Sequence, residues 1–391
     1  MKAKLLPALI FTLIGSSALA QDQISSERLF TEKDLTSKQI SGILPNQLKP
    51  GISNFSPTEN STFNLADTVP TATSGGEILP GGFIEKMDNY LITQLAFVND
   101  TERFSVDQGT QDYQIYPNGS SALKIHFNYR FLSVGFSLIP KFISGNDDND
   151  LKGETKGFGF NTGFNFTHWF QTVGYGQIRG FYLDNTKDFD NSWQDGDPYI
   201  QFPDLLYRSF HGTTGYSFNP NFSTKALMTG TERQLKSAGS FIPTLKYRYY
   251  LVDNREKLNA TNSTQKSNNF EILANAGYYY TYVINKEFYL SAGGSAGYGF
   301  LNSKVTTRNI SDEAVTKQNN GVFRYDLQAA AGYNSERFYA GLIFTTENRQ
   351  YKQSNTSVIN SDWRVFSQIT VGYRFNAPNA LRNNLNKISP Q

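Results

Sequence analysis

Cysteine is absent from the whole sequence of 391 residues, which excludes disulfides and thiolate metal sites. A lipid anchor on a cysteine behind a cleaved leader is excluded for the same reason. An excess of positive charge is also lacking, because 36 basic residues face 34 acidic ones, for a formal net charge of +2. This balance argues against a nucleic-acid partner, which requires a strongly basic surface.

The N-terminus has the three parts of a secretory signal. Lys2 and Lys4 supply positive charge, residues 5–14 form a short apolar core, and Ala18 and Ala20 frame a small-x-small cleavage site. We therefore expect residues 1–20 to be a signal peptide that is cleaved near Ala20. An uncleaved membrane anchor is the alternative, but the apolar core is too short to span a bilayer.

Aromatic residues and glycine are plentiful in a chain that is polar on average. The sequence has 23 Tyr, 31 Phe and 32 Gly, yet its mean hydropathy is −0.46. This combination is typical of a barrel wall with an apolar face towards lipid and a wet face towards a lumen. Residues 21–86 are polar and lack periodicity, so we expect a flexible periplasmic extension, with a plug inside the lumen as the alternative.

From residue 88 onward the chain alternates between apolar and polar residues. In the segment 122–131 the odd positions, such as Phe127, are apolar, and the even positions carry Lys124, His126, Asn128 and Arg130. Alternate residues of a strand point to opposite faces. An arginine at position 127 is therefore expected to meet lipid and to impair barrel assembly, and one at position 128 is expected to meet the lumen and to be far milder. The same pattern recurs in the segments 158–166, 244–249, 323–328 and 363–375.

Segments of about ten residues suit tilted strands that cross a bilayer. Because open sheet edges cannot persist in lipid, such strands must close into a barrel. We predict an all-β fold, a closed antiparallel transmembrane β-barrel over residues 87–375 with about 12 strands, or about 14 as the alternative, and a periplasmic tail over residues 376–391. Tight turns are expected near Tyr129, Trp169, Asn219, Asn285 and Asn334, and long loops over residues 144–156, 184–204 and 302–321.

Several motifs resemble a known family when they are taken together and in order. The most specific is the run 232–241, Glu-Arg-Gln-Leu-Lys-Ser-Ala-Gly-Ser-Phe. Others are Gly180-Phe181-Tyr182-Leu183, Phe202-Pro203-Asp204, Gly215-Tyr216-Ser217-Phe218-Asn219, Gly332-Tyr333-Asn334-Ser335-Glu336-Arg337-Phe338 and Gly372-Tyr373-Arg374-Phe375. Over roughly residues 86–375 the chain resembles the family domain of unknown function 4421. The resemblance implies an outer-membrane barrel and supplies no reaction.

Charged residues expected on the lumen side are the candidates for function. Glu232, Arg233 and Lys236 lie in the most family-like run. They are expected either to form a charged constriction that selects solutes or to brace the barrel through salt bridges. The alternation adds five further lumen candidates, Lys124, His126, Arg130, Arg324 and Asp326.

Other candidate sites are weak. The acidic clusters at 146–150 and 188–197 lack the spacing of a calcium loop, so solvated loops are expected. His126, His168 and His211 lie in separate segments, and the sequence has no nucleophile elbow, His-Glu-x-x-His motif or glycine-rich phosphate loop. We therefore expect no metal and no cofactor.

Three functions remain open at this point. The first is a narrow channel or a structural or assembly component of the outer membrane of a Gram-negative bacterium. The second is an outer-membrane enzyme acting on lipid or peptide, and the third is a secreted soluble β-protein. For a barrel, the expected partners are outer-membrane lipid, lipopolysaccharide and the barrel-assembly machinery during insertion.

The alternation and the signal peptide give the first testable prediction. The mature protein should fractionate with the outer membrane and should migrate differently on gels before and after heating, because a closed barrel resists detergent until it is heated. Fractionation followed by electrophoresis measures both properties. Recovery in the soluble periplasm without a heat-dependent shift would exclude a membrane barrel.

Overall fold

The computed structural model describes residues 75–99, 104–107, 112–119, 121–260, 262–352 and 359–386. The expected signal peptide and residues 21–74 lie outside the described residues. In chain order the strands are β1 (Glu77–Ile78), β2 (Ile84–Lys86), β3 (Tyr90–Asn99), β4 (Phe104–Asp107), β5 (Asp112–Tyr116), β6 (Ala122–Tyr129), β7 (Leu132–Leu138), β8 (Lys156–Asn165), β9 (Trp169–Leu183), β10 (Gln201–Tyr216), β11 (Glu232–Gln234), β12 (Ala238–Asn254), β13 (Thr264–Ile284), β14 (Phe288–Arg308), β15 (Glu313–Asn334), β16 (Phe338–Lys352) and β17 (Ile359–Asn376).

Helices are short and lie in the connections. They are α1 (Asn149–Lys152), α2 (Thr224–Met228) and α3 (Asn379–Asn386), with one turn of 3-10 helix at Thr186–Asp188. Within the described residues, no helix is long and apolar enough to cross a membrane.

Twelve strands form one closed antiparallel barrel. Around the wall the order is β3, β6, β7, β8, β9, β10 and β12 to β17, and each strand pairs with the next. The last strand closes on the first, with Asn376 opposite Tyr90. Closure satisfies the backbone groups that an open edge would leave without partners in lipid. The predicted fold class and the predicted strand number of 12 are confirmed.

An apolar belt surrounds the barrel. Phe127, Phe160, Phe270 and Tyr280 point outwards and are exposed, as the alternation predicted. On β13, Phe270 and Tyr280 are ten residues apart, and at about 3.4 Å per residue and a tilt of about 40° this separation corresponds to a belt of about 26 Å. That height matches the hydrocarbon thickness crossed by outer-membrane barrels, so the outer face is suited to lipid.

The two ends of the barrel differ. At one end, here called the turn end, β3 begins, β17 ends and several hairpins are tight. Asn285 and Lys286 both have positive φ, 53° and 62°, and close the β13–β14 hairpin. Positive φ at both central positions is the geometry of a type I′ turn, which matches the twist of paired strands. The opposite end, the loop end, carries the long connections 139–155 and 184–200.

Three predicted connections are wrong in position or kind. Residues 302–321 are not a loop, because they form the ends of β14 and β15, which are joined over 309–312. Their polar side chains suit strands that continue beyond the apolar belt into water. The turn expected over residues 169–172 lies about three residues earlier, at 166–168, and Trp169 already begins β9. Asn219 does accept a turn hydrogen bond from the Phe222 N–H at 3.1 Å, but the chain then folds inwards instead of forming a hairpin.

Residues 75–86 were expected to belong to an irregular extension, and this expectation is wrong for them. β1 pairs with β2, and β2 pairs with β11, so these residues form a small antiparallel sheet with the connection between β10 and β12. Polar residues in that segment pair their backbone groups with a distant strand, which local sequence does not reveal. The expected tail after residue 376 likewise contains α3, whose Leu385 packs against Tyr129.

The short strands β4 and β5 cover part of the loop end. β5 pairs with β4 and with the end of β9, where Ile115 lies opposite Leu183. The side chains of Tyr113, Ile115, Leu183 and Leu205 are buried together there. Their apolar packing holds the loop-end parts of β9 and β10 in place, and these two strands form part of the lumen wall described below.

The two faces of the wall allow a matched substitution test, although Asn128 is unsuitable as the polar-face control. Its side chain is fully buried, donates to Thr229 O at 3.0 Å and accepts from Ser133 Oγ at 2.6 Å. An arginine there would break these contacts, so the expectation of a mild effect at 128 is wrong. Ser137 is the better control, because it lines an open cavity in the lumen.

We predict that Phe127→Arg impairs barrel assembly while Ser137→Arg is tolerated. A lipid-facing arginine costs about 2–4 kcal/mol at the bilayer midplane and less towards the interfaces, whereas one in the lumen meets water. The heat-dependent gel shift of outer-membrane fractions measures the folded share of each variant. Equal damage from both substitutions would contradict the assigned faces.

The barrel lumen as candidate functional site

Long charged side chains fill one side of the lumen. Lys246 on β12 reaches Asp326 on β15 at 3.1 Å, and Asp326 also accepts hydrogen bonds from Ser295 and Tyr279. Arg248 lies 3.8 Å from Glu271, which also pairs with Arg349 on β16. Arg324 pairs with Glu347 on the neighbouring strand. We call β12 to β16 the filled wall, because these pairs occupy its inner surface.

Small residues line the other side. Gly135 and Ser137 on β7, Gly159 on β8 and Gly174 and Gly176 on β9 all take inward positions. We call β7 to β9 the glycine wall. A Cβ atom at Gly176 would meet only Ser209 Oγ, at 3.4 Å, whereas at Gly174 it would lie 2.5 Å from His211 Nε2. The glycines therefore leave free space at some positions and admit histidine rings at others.

The free space is a cavity of about 210 Å³ beside the glycine wall. Its polar lining includes Lys124 on β6, His211 on β10 and Arg364 on β17, together with Ser137 and Ser209. None of the described residues that line it carries a carboxylate. The cavity is therefore lined by basic and neutral groups, while the acidic groups of the filled wall are paired.

A folded segment closes the turn end. We call it the plug, and it comprises residues 75–89 and 217–237, with β1, β2, β11 and α2. Inside it, Glu232 pairs with Lys225 at 2.6 Å and accepts from Ser223 Oγ at 2.6 Å. Arg233 pairs with Glu85 at 2.7 Å. These four charged side chains are almost completely buried, so each pair satisfies charges that water cannot reach.

The plug touches inward-facing residues all around the bore. Phe222 packs with Phe170 on β9 and Ile242 on β12. Thr229 O accepts from Asn128 on β6, and Arg233 Nε donates to Asn334 O at the end of β15. Contacts with strands on opposite sides of the barrel place the plug within the lumen rather than beside it.

Arg374 anchors the plug to the last strand. Its side chain has no exposed surface, and Nε and Nη2 both donate to Gly230 O, at 2.9 and 2.8 Å. Nη1 donates to Ser335 O at 2.6 Å, and the guanidinium lies over the Tyr339 ring at 5.0 Å. One buried cation thus joins the plug, a hairpin turn and two wall strands.

The structure separates the eight sequence candidates into groups. Glu232 and Arg233 lie buried in the plug, and Lys236 at its surface donates to Gly81 O at 2.9 Å. Lys124 lines the cavity, and Arg324 and Asp326 lie on the filled wall. His126 lies 3.4 Å from Asn161 Nδ2, across from Gly135.

The expectation that Arg130 faces the lumen is wrong. Its φ of 54° places it in the tight β6–β7 turn, where the alternation of faces ends. There Nε lies 3.5 Å from Asp88 O, and the guanidinium lies 5.2 Å from the centre of the Tyr129 ring. The positive φ ends the alternation of faces at this turn, so the side chain lies at the turn end instead of on the inward face of β6.

The alternation also contained residues that were not selected as candidates. Lys246, Glu271, Arg349 and Arg364 all occupy inward positions, so the period-two pattern could have identified them. Glu85 could not have been found in this way, because its partner Arg233 is 148 positions away.

Loop acids and histidines take local roles. Asp190 accepts hydrogen bonds from the backbone and side chain of Ser192, and these bonds hold the pKa of its carboxyl below the ordinary value. His168 stacks on Tyr216 at 5.4 Å, away from the cavity. Among the described residues, no group of three or more histidine or acidic side chains is arranged to hold a metal ion.

Comparison with known proteins gives a family but no activity. The family model described as "Domain of unknown function (DUF4421)" matches residues 81–375. The match includes the barrel up to Phe375 and the plug from residue 81 onward. Among curated proteins, none matches the sequence.

Solved structures with similar folds are distant. The outer membrane protease OmpT of Escherichia coli is 8% identical, covers 74% of this chain and 98% of its own, and has a TM-score of 0.31. Outer-membrane OmpT of Vibrio cholerae is 10% identical, with coverages of 76% and 100% and a TM-score of 0.27. The ferric yersiniabactin uptake receptor FyuA of Yersinia pestis is 10% identical, with coverages of 72% and 43% and a TM-score of 0.27. At these scores the likeness transfers neither ligand nor reaction.

The plug contacts give a stability prediction. Arg233→Ala should lower the free energy of unfolding by about 3–5 kcal/mol, because it leaves the Glu85 carboxylate buried without its partner. The matched control is Arg179→Ala, which breaks the exposed pair with Asp204 and should cost less than about 1 kcal/mol. Urea unfolding of the refolded protein measures both. Equal effects would contradict a buried, paired plug.

Proposed function

The chain belongs to the family described as domain of unknown function (DUF4421), and we propose that it is an outer-membrane channel for small hydrophilic solutes that the plug holds closed. The observation that carries the proposal is the one-sided filling of the lumen. Charged pairs occupy the filled wall, whereas small residues on the glycine wall border a cavity. A barrel that served only as a scaffold would have no need to keep this space open.

The strand number supports a narrow path. Eight-stranded barrels are filled by side chains, and sixteen-stranded ones leave a wide channel, so twelve strands give a bore that side chains determine. His211, which lines the cavity, is exposed, so water reaches this part of the lumen. The plug lies between this space and the turn end, and it is therefore the element that must move for passage.

The two ends of the barrel indicate its orientation in the outer membrane. Short turns at the periplasmic side and longer loops outside are the rule for such barrels, so the turn end with the plug faces the periplasm in this proposal. Outer-membrane lipid and lipopolysaccharide surround the apolar belt, and the barrel-assembly machinery inserts it. Lys156, Arg179 and Arg208 project outwards beyond Phe158 and Phe210, where lipid phosphates lie.

The experiment compares single-channel conductance in planar bilayers for three proteins. They are the mature wild type, a plug-deletion variant in which a short Gly-Ser linker replaces residues 220–236, the part of the plug that contains α2 and β11, and that variant with Gly176→Trp. The linker fits because Asn219 N lies 3.0 Å from Ser240 Oγ, so the ends to be joined are close. The heat-dependent gel shift verifies that each protein is folded.

We predict frequent openings in the variant without the plug, few openings in the wild type, and loss of conductance on adding Gly176→Trp. The tryptophan should fit inside the wall, because a side chain there meets only Ser209 Oγ at 3.4 Å. A folded plug-deletion variant that does not conduct would refute the channel. Conductance that Gly176→Trp leaves unchanged would refute the path along the glycine wall.

A further inference from the structure

A group of cations lies on the outer face of the barrel at the loop end. Lys156, Arg179 and Arg208 belong to the neighbouring strands β8, β9 and β10, and all three side chains are exposed. Lys156 lies directly opposite Arg179 in the strand register. Because neighbouring strands are about 4.8 Å apart, the three residues span about 10 Å of the outer surface. We call them, together with Lys141 on the connection after β7, the basic patch.

Two carboxylates contact the basic patch. Glu154 pairs with both Lys141 and Lys156, the latter at 3.1 Å, and Asp204 pairs with Arg179 at 2.6 Å. These pairs are open to solvent, so each is weak and can exchange its partner for a ligand.

Arg208 is bonded to a neutral group. Its Nε and Nη2 donate to Oε1 of Gln177, at 3.2 and 3.0 Å. Four cations and two carboxylates thus leave the basic patch with a formal excess of two positive charges. Phosphate groups suit such a surface, because the planar fork of an arginine matches their oxygens and a lysine adds a point charge.

An apolar surface adjoins the basic patch on the membrane side. Five large side chains of β7, β8 and β10 are exposed there, namely Phe136, Leu138, Phe158, Phe160 and Phe210. Lys156 lies two residues beyond Phe158, which at about 3.4 Å per residue and a tilt of about 40° is about 5 Å. The outer face therefore changes from phenylalanine to cations over the distance at which the acyl chains of a lipid give way to its phosphates.

Phe142 carries the apolar character into the connection after β7. It follows Lys141 directly, and it is 82% exposed. Exposed apolar surface that continues over several side chains and is rimmed by polar groups marks a site of interaction with a membrane or a partner. Because the strands below this connection face lipid, the occupant of the surface is a lipid.

We propose that this surface binds the lipid A part of lipopolysaccharide, with its phosphates on the basic patch and its acyl chains on the phenylalanines of β7 to β10. Lipid A is a phosphorylated sugar that carries several acyl chains, so one molecule supplies both chemistries. The inference rests on the proposed function only for the orientation, which places the loop end on the outer side of the membrane. It adds a defined lipid site that does not depend on conductance.

A second pair of outward cations lies farther from the apolar belt. Lys304 on β14 and Lys317 on β15 are opposite each other in the strand register. Lys304 is four residues beyond the exposed Phe300, which corresponds to about 10 Å along the membrane normal. These two lysines lie beyond the layer of lipid phosphates, and they provide a matched control for the removal of two outward cations.

The test is native mass spectrometry of refolded, detergent-solubilised mature protein titrated with three lipids. They are diphosphorylated lipid A, the same lipid without its phosphates, and phosphatidylglycerol. The proteins are the wild type, Lys156→Gln/Arg208→Gln and the control Lys304→Gln/Lys317→Gln. Refolding from the denatured state removes lipid carried over from cells, and the heat-dependent gel shift verifies that each protein is folded. The substituted side chains are exposed, and Glu154 keeps its partner Lys141 in the double variant.

Diphosphorylated lipid A should bind saturably, and with equal affinity, to the wild type and the control. Its affinity should fall about fivefold or more in Lys156→Gln/Arg208→Gln, because two exposed charge contacts are lost. Affinity for the wild type should also fall as salt is raised, since these contacts are screened. Lipid A without phosphates and phosphatidylglycerol should bind the wild type more weakly than diphosphorylated lipid A does.

Absence of saturable lipid A binding to the wild type, or an equal loss in both double variants, would overturn the site. Equal affinities for lipid A and phosphatidylglycerol would reduce the surface to a general contact with acidic lipid and would also overturn the proposal. Undiminished binding of the lipid without phosphates would exclude the basic patch. A folded plug-deletion variant that does not conduct would refute the channel, whereas its lipid A binding would remain as in the wild type.

Discussion

A closed barrel in lipid has to place its apolar side chains outside, and this constraint determines what its interior can be. Because the strands pair with one another all around the wall, the outer face presents side chains such as Phe127 and Phe270 to the lipid. The alternate positions then face the bore of a twelve-stranded barrel. Charged groups in that bore must find partners, which is why Glu271 and Asp326 each contact basic side chains.

The same constraint explains the division of the lumen. Arg349 reaches Glu271 on a strand two positions beyond its neighbour, so the pairs of the filled wall link β12, β13, β15 and β16 into one block. A second such block on the opposite side would fill the cavity beside the glycine wall. Glycines at 159 and 176 preserve space on the opposite side, and that space is where Lys124 and Arg364 lie. The block of ion pairs and the open cavity thus lie on different strands.

Sequence alone predicted what depends on local periodicity. Strand alternation gave the outward and inward faces at Phe127, Arg324 and Asp326, and it gave a barrel of the correct strand number. It failed where the deciding contact is distant or the backbone changes region. Glu85 and Arg233 meet across 148 positions, and Arg130 leaves the alternation at a positive φ. The polar ends of β14 and β15 resembled a loop, since strands in water need no apolar face.

The way the plug is held bears on how it could move. Its contacts include buried ion pairs and hydrogen bonds to carbonyls, beside two apolar clusters, one at Phe222 and one in which Met87 packs against Tyr339. Buried ion pairs define geometry strongly but add little net stability, because desolvation offsets most of their attraction. An apolar plug would gain stability with every buried methylene and would be difficult to displace. A plug docked through Arg233, Glu232 and the Arg374 contact with Gly230 is held in one position, yet its polar groups can be rehydrated as water enters. This property is what the proposed opening of the channel requires.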